Sequence, residues 1–239
     1  MMKSNIQFGR VAGIGIYAHW TLLVMLLGVF AWFLWESISV SIALAGLILT
    51  SALFGCVVLH ELGHALMARQ FGIRTLDITI YPIGGVARLE AMPKQPRQEF
   101  LIAIAGPAVN LVIAAVLFVV LLGAGQSLAP DAFILGEPNV LGSLMWMNVA
   151  LVVFNMLPAF PMDGGRVLRA SLASRMSYRS ATRIASYVGQ GMAGLFAVAA
   201  IFPVPLFPDF NPILLFIALF VFTAARQEAA YVFRGVEAV

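Results

Sequence analysis

Two of the three histidines of the chain lie in one apolar stretch, Val57-Val58-Leu59-His60-Glu61-Leu62-Gly63-His64-Ala65-Leu66-Met67-Ala68-Arg69. On a helix, a spacing of four residues returns a side chain to nearly the same face, so His60 and His64 can present two imidazoles to one metal ion. Glu61 points about 100° further round the helix axis, from where its carboxylate can reach water beside that metal. The stretch therefore predicts a metal site on a helix, and its apolar flanks predict that this helix lies in a membrane.

The composition supports a membrane protein. The chain has 239 residues, of which 62% are hydrophobic and 10% are charged, and its mean hydropathy is +0.97. Soluble domains carry roughly 25% charged residues, so this chain reads as a polytopic helical protein. The net charge of +3 fits loops that face anionic lipid headgroups and gives no reason to expect a nucleic-acid partner. Cys56 is the single cysteine, so no internal disulfide can form.

The hydrophobic runs predict six membrane-spanning helices, at about residues 20–35, 41–68, 100–122, 140–157, 184–202 and 212–225. All 14 lysines and arginines lie before the first span, between the second and third, between the fourth and fifth, or after the sixth. By the positive-inside rule these segments are cytoplasmic, and so are both termini. The histidine pair then lies toward the cytoplasmic end of the second span.

Two segments read as extended chain. Residues 5–18 are rich in glycine and β-branched residues, and residues 75–81 alternate between polar and apolar before a Pro82-Ile83-Gly84-Gly85 turn and a return strand. The predicted fold is therefore an all-α polytopic membrane protein with a short membrane-associated β-hairpin or sheet near the cytoplasmic side.

A catalytic zinc usually has three protein ligands and one water, and His-Glu-x-x-His is a zinc-metalloprotease pattern that supplies two of them. Asp163 is the best candidate for the third, because it lies in a segment, residues 155–165, whose two prolines and two glycines forbid a regular helix. Irregular backbone at membrane depth is tolerated inside protein or beside a water-filled cavity, and hydrolysis needs that water. The alternatives are a structural polar cluster at the histidines and an aspartate that merely ends a turn.

These motifs together resemble the site-2 protease family of intramembrane zinc metalloproteases, peptidase family M50. The resemblance rests on His60-Glu61-Leu62-Gly63-His64 and on Asn155-Met156-Leu157-Pro158 followed by Asp163-Gly164-Gly165-Arg166. Pro82-Ile83-Gly84-Gly85 and Ala105-Gly106-Pro107-Ala108-Val109-Asn110 also resemble family segments. The six-span layout is most similar to the branch with the sporulation sigma-factor-processing protease and archaeal relatives. We expect a single protease domain over residues 1–239 without a PDZ domain, and with the C-terminal CBS module of that branch either absent or removed.

The resemblance implies a role for each matching residue. His60, His64 and Asp163 would bind one Zn²⁺, Glu61 would be the general base, and Asn155 would hold the substrate backbone or the oxyanion. The hairpin would bind an unwound substrate as an added strand, which offers the freed backbone new hydrogen-bond partners. The residues expected to bind substrate are Ile80, Pro82, Gly84, Gly85 and Asn110.

The function expected from the sequence is hydrolysis of a peptide bond within the transmembrane segment of a membrane-tethered substrate, such as a transcription, sigma or anti-sigma factor. The enzyme would lie in the cell's inner, cytoplasmic membrane, with its active site toward the cytoplasm. One alternative is a catalytically silent relative that acts as a membrane scaffold or metal-binding partner, although such relatives tend to lose the glutamate that this chain keeps. A metal transporter is a weaker alternative, because the polar groups cluster at one depth.

Overall fold

The structure is a computed structural model that describes residues 5–93, 95–128, 139–202 and 209–233. It divides into two compact units. The first, here called the sheet unit, comprises Met1–Glu90 and Ala105–Val152; the second, called the helical unit, comprises Ala91–Ile104 and Val153–Val239. Several charged residues used to predict the topology lie outside the described residues, namely Lys3, Lys94, Asp131, Glu137 and Arg234.

The sheet unit contains a four-stranded sheet in the order β1-β2-β3-β4. The strands are β1 (Asn5–Val11), β2 (Ile14–His19), β3 (Thr75–Tyr81) and β4 (Gly84–Leu89). The pairs β1–β2 and β3–β4 are antiparallel hairpins, whereas β2 and β3 run parallel. The hairpin predicted at residues 75–89 is therefore present. The segment at residues 5–18, predicted only as extended chain, is a second hairpin that joins the same sheet.

Two long helices follow β2, α1 (Trp20–Ser37) and α2 (Val40–Gln70). The core of the sheet unit forms where α2 meets the sheet, and Leu62 and Ala65 of α2 pack with Ile78 and Ile80 of β3. These two α2 residues belong to the same helical turns as His60 and His64. Burial of the alternate β3 side chains therefore fixes the turns of α2 that carry the metal motif.

The helix α3 (Pro96–Gly123) packs closely on α2 because both helices have a glycine at the contact. A Cβ atom added at Gly63 of α2 would lie 2.7 Å from the carbonyl oxygen of Ala105 and 2.8 Å from Cγ2 of Val109. Small residues allow helix backbones to approach in this way within membranes. The Ala105–Asn110 segment thus lies close against α2, with Pro107 inside the helix. The next helix, α4, spans Val140–Asn155.

The helical unit contains the first residues of α3 and three further helices, α5 (Asp163–Ala173), α6 (Tyr178–Ile201) and α7 (Pro212–Phe233). On α5, Arg169 is 1% exposed, and its Nε donates to Oε1 of Glu99 at 2.8 Å. Its guanidinium also pairs with Glu228 of α7 and lies over the rings of Phe160 and Tyr178. One buried cation therefore connects α3, α5, α6 and α7. Helix α5 lies between the fourth and fifth predicted spans, where the hydrophobic runs predict no helix.

Five helices of the described chain, α1, α2, α3, α6 and α7, are long and apolar enough to cross a membrane. They coincide with five of the six predicted spans. The remaining predicted span corresponds to α4, which is apolar but has only 16 residues. The mostly helical membrane-type fold with a small sheet is confirmed, while the fourth span, and with it the total of six, stays a prediction, as does the single domain.

We predict that Arg169→Ala strongly destabilises the protein, because it leaves the Glu99 carboxylate buried without its cation. Removing one member of a buried ion pair typically costs about 3–5 kcal/mol. Thermal unfolding in detergent micelles measures the effect, and Arg175→Ala, at an exposed position, is the control. A double variant, Arg169→Met with Glu99→Leu, should recover part of the loss. Equal melting temperatures for Arg169→Ala and Arg175→Ala would contradict this role.

Candidate metal centre

His60 and His64 converge on one point in the sheet unit. Their Nε2 atoms lie 3.0 Å apart, and the ring planes are nearly perpendicular, at 82°. Both residues are buried, with exposures of 6% and 8%. Two neutral imidazoles whose Nε2 atoms converge offer the kind of nitrogen donors that zinc prefers. The geometry predicted from the four-residue spacing is therefore present.

Gly106 of α3 lies directly against this pair. A Cβ atom at this position would be 2.2 Å from Nε2 of His64 and 2.7 Å from Nε2 of His60. Both distances are shorter than real Cβ contacts, so any side chain here would occupy the space beside the two donor atoms. The absence of a side chain keeps that space open, which fits a metal ion held by the two rings.

The other nitrogen of His60, Nδ1, has its own partner. It lies 2.5 Å from Oδ1 of Asn110, one turn after Gly106 on α3. The Asn110 amide in turn donates to Oδ1 of Asn148 on α4, at 2.8 Å. Both asparagines are 0% exposed. Metal-binding histidines characteristically use their second nitrogen in this way, so the arrangement also fits a metal ligand.

Glu61 faces the sheet. A Cβ atom added at Gly85 of β4 would lie 2.6 Å from Cγ and 3.1 Å from Oε1 of Glu61. Within the described sheet β4 is an edge strand, so one side of its backbone is not paired with another strand. The predicted general base and the predicted substrate-binding strand are therefore in contact. Arg88 supports β4 by pairing with Asp77 of β3, and this carboxylate raises the pKa of Arg88.

Asp163 lies in the helical unit, as the first residue of α5, and it is buried. The two glycines that follow it pack against the irregular segment before the helix. A Cβ atom at Gly164 would be 2.3 Å from the carbonyl oxygen of Leu157, and one at Gly165 would be 2.7 Å from the backbone of Ala159. A carboxylate at this end of a helix is also favoured by the helix dipole. The Asp-Gly-Gly sequence thus fixes the aspartate at the start of α5.

The remaining predicted residues have different environments. Asn155 is the last residue of α4 and is partly exposed. Ile80 packs in the core beneath the sheet, and its backbone pairs with Gly85. Pro82 and Gly84 lie at the hairpin turn and are partly exposed. The roles assigned to these residues, and to Asn110 in substrate binding, stay predictions.

The third histidine is used elsewhere. His19 precedes α1 as its N-cap, with Nδ1 2.7 Å from Oγ1 of Thr21, and its ring stacks on Tyr81 at 5.2 Å. Cys56 is buried, and its sulfur accepts a hydrogen bond from Asn148 at 3.4 Å.

The contact between Asn110 and His60, and the position of Gly106 beside the histidines, do not follow from the sequence motifs. One signal was available. Gly106 and Asn110 are four residues apart and therefore share a face of α3. A glycine that permits close helix packing thus marks the face on which Asn110 also meets α2.

These features describe a helical membrane protein with a buried histidine pair, suited to hold a metal ion, near the edge of a small sheet. Comparison with known proteins identifies the family. The model of peptidase family M50 matches residues 48–136 and 128–196. A zinc metalloprotease of Methanocaldococcus jannaschii is 35% identical over 97% of this chain and 62% of its own length. Stage IV sporulation protein FB of Bacillus subtilis is 26% identical over 72% of this chain and 57% of its own.

A solved structure, the site-2 protease from Methanocaldococcus jannaschii, matches with a TM-score of 0.64 and 36% identity. The match covers 94% of this chain and 95% of that one. The chain belongs to peptidase family M50, the site-2 protease family, which confirms the family predicted from the motifs. With its apolar helices, it is a multi-pass membrane protein. It spans about three fifths of the length of the curated relatives it matches.

We predict that Gly106→Ala impairs metal binding, because the added methyl group must displace one or both imidazole rings. Overpacking of this kind costs typically about 1–3 kcal/mol, or roughly a five- to more than a hundredfold loss of affinity if it acts on the metal-bound geometry. Competition with a chelator measures zinc affinity. Gly28→Ala on α1, where a Cβ atom meets nothing within 4 Å, is the control. Wild-type zinc affinity in Gly106→Ala would contradict the proximity of α3 to the donor atoms.

Proposed function

We propose that this protein is a zinc-dependent intramembrane endopeptidase that hydrolyses a peptide bond in the transmembrane segment of a membrane-tethered substrate. One observation carries the proposal. The buried pair of His60 and His64, with Nε2 atoms 3.0 Å apart, is adjacent in sequence to a glutamate that contacts an edge strand. Metal ligands, a base and a surface that can bind an extended peptide thus occur within one unit.

Zinc is the metal named for the relative that matches 97% of this chain, and the residues present suit it. His60, His64 and Asp163 are each buried, and each offers one ligand atom. Two imidazoles and one carboxylate form a ligand set of catalytic zinc sites, which leave a position for water or substrate. The chemistry that zinc supplies when bound is Lewis acidity toward the scissile carbonyl group and activation of water.

Glu61 is the general base of the proposed reaction. Its carboxylate takes a proton from the attacking water and then delivers a proton to the leaving amine, so that one group serves both halves of the hydrolysis. The retained glutamate also disfavours a catalytically silent relative. Asn155 donates its side-chain amide to the substrate carbonyl oxygen or to the neighbouring backbone, where negative charge develops.

The substrate binds as an added strand along β4. Peptide groups in a transmembrane helix already have hydrogen-bond partners, so a protease must unwind the helix and supply replacements. The edge of β4 offers backbone donors and acceptors for this purpose. Gly85 favours the arrangement because it has no side chain between the strand and Glu61. A peptide on β4 would consequently pass close to the base.

The proposed topology has six spans, with both termini and the active site on the cytoplasmic side. The positions of the lysines and arginines support it. As the fourth of these spans, α4 is short, since 16 residues reach only about 24 Å. The irregular segment after it, in which Ala159 and Phe160 are buried in protein, would complete the crossing.

The class of substrate is a membrane-tethered regulator, such as a transcription, sigma or anti-sigma factor. The proposal follows from the resemblance to the sporulation branch, whose member stage IV sporulation protein FB is among the relatives. The apolar surroundings of the site support a membrane segment as the part that is cut.

We predict that Glu61→Gln abolishes cleavage while zinc binding persists, because the substitution removes the base and leaves both histidines. General-base catalysis contributes roughly 10²–10⁴-fold to rate, so cleavage of a model transmembrane segment in proteoliposomes should fall by at least that factor. Zinc stoichiometry should match the wild type. Glu36→Gln, at an exposed position near the end of α1, is the matched control. Cleavage by Glu61→Gln at the wild-type rate would refute the assignment.

A further inference from the structure

The directions of the hydrogen bonds that link α2, α3 and α4 follow from the backbone carbonyl oxygen of Leu144, which can only accept. Nδ2 of Asn148 donates to the backbone carbonyl oxygen of Leu144 at 2.8 Å. This contact orients the amide, so Oδ1 of Asn148 faces Asn110 and accepts from its Nδ2 at 2.8 Å. The orientation of Asn110 follows, and its Oδ1 faces Nδ1 of His60 at 2.5 Å. Because an amide oxygen only accepts, Nδ1 of His60 must be the donor.

A proton on Nδ1 has a consequence for the metal site. In neutral imidazole only one nitrogen carries hydrogen, so a proton on Nδ1 leaves the lone pair of Nε2 available. That is the atom that lies 3.0 Å from Nε2 of His64. The asparagines therefore select the tautomer of His60 that can bind a metal, and they also fix the plane of its ring.

The hydrogen-bonded series His60–Asn110–Asn148, here called the relay, lies within the sheet unit and is buried. Asn110 and Asn148 are both 0% exposed, and a second donor contact of Asn148 reaches the buried sulfur of Cys56 at 3.4 Å. Water therefore does not reach the two amides. An amide that is turned the wrong way would leave buried polar groups unpaired, which is unfavourable where no water can replace the lost partner. The relay accordingly has one orientation, anchored on the backbone of α4.

We propose that Asn110 is a positioning residue that acts through His60, and that Asn148 holds Asn110 in the required orientation. This inference rests on the proposed zinc site. It replaces substrate binding as the role of Asn110, whose amide oxygen and nitrogen are both engaged within the protein. Asn148 then does more than link two helices by a hydrogen bond, because the direction of its amide sets, through Asn110, the tautomer of His60.

Three substitutions test the relay in the full chain, purified in detergent. Asn110→Leu has a similar volume but removes the acceptor for His60. Asn110→Asp keeps an acceptor oxygen for His60. Asn148→Leu leaves that acceptor and removes the group that orients it. Zinc affinity is measured by competition with a chelator, the spectrum of the Co²⁺-substituted protein reports ligand geometry, and thermal unfolding of the metal-free protein reports stability.

Asn110→Leu should bind zinc about 10–100-fold more weakly, which is the usual effect of removing the partner of a ligating histidine. Asn110→Asp should recover most of this loss, and Asn148→Leu should show a smaller one. Ser186→Ala is the control for a buried contact between helices, because Ser186 donates to the carbonyl oxygen of Ala225 at 2.7 Å within the helical unit. It should lower the melting temperature and leave zinc affinity unchanged.

Unchanged zinc affinity in Asn110→Leu, together with a lower melting temperature, would overturn the proposal and leave helix packing as the role of Asn110. A raised KM for a model transmembrane segment, with unchanged zinc affinity, would instead support substrate binding by Asn110. That result would also overturn the proposal. If Asn110→Leu does not fold, the Asn148→Leu variant provides the test. Wild-type zinc affinity in Asn148→Leu would refute the relay. Failure of the wild-type protein to bind zinc would refute the proposed function itself, which is a separate outcome.

Discussion

The hydrogen bond of 2.5 Å between Nδ1 of His60 and Oδ1 of Asn110 is the contact on which the site depends. A histidine within an apolar helix needs a partner for each ring nitrogen, because an unpaired polar group in such surroundings is costly. Asn110 serves one nitrogen of His60, and the other faces His64. The bond also requires α2 and α3 to lie close together, so the requirement of one side chain becomes a constraint on two helices.

That constraint explains why small residues occur where they do. Gly63 brings α2 against the backbone of α3, and Gly106 leaves room beside both histidine rings. On the other side of α2, Gly85 allows β4 to approach Glu61. The motif helix is thus enclosed by α3 on the face of its histidines and by the sheet near its glutamate. These three glycines allow the backbones of α3 and β4 to come close to the side chains of the motif.

The features that could be predicted are those set by local spacing. His60, Glu61 and His64 follow from the helical period, and β3 and β4 follow from alternation around a glycine-containing turn. The pairing of β2 with β3 could not be predicted, since it joins residues about sixty positions apart in the sequence. Helix α5 contains two glycines that lower its helix propensity, and burial of Arg169 with Glu99 stabilises it instead. The contact of Asn110 with His60 could not be predicted either, because it depends on which helix packs against that face of α3.

In the proposed site, His60 and His64 hold one zinc ion together with a carboxylate. Zinc K-edge X-ray absorption of the zinc-loaded protein reports the ligands of that ion. We expect one zinc per chain with two imidazole nitrogens at about 2.0–2.1 Å and oxygen in the remaining positions. The Asp163→Ala variant should lose oxygen scattering or zinc content. A sulfur ligand from Cys56, a single imidazole, or no bound zinc in the wild type would refute this site.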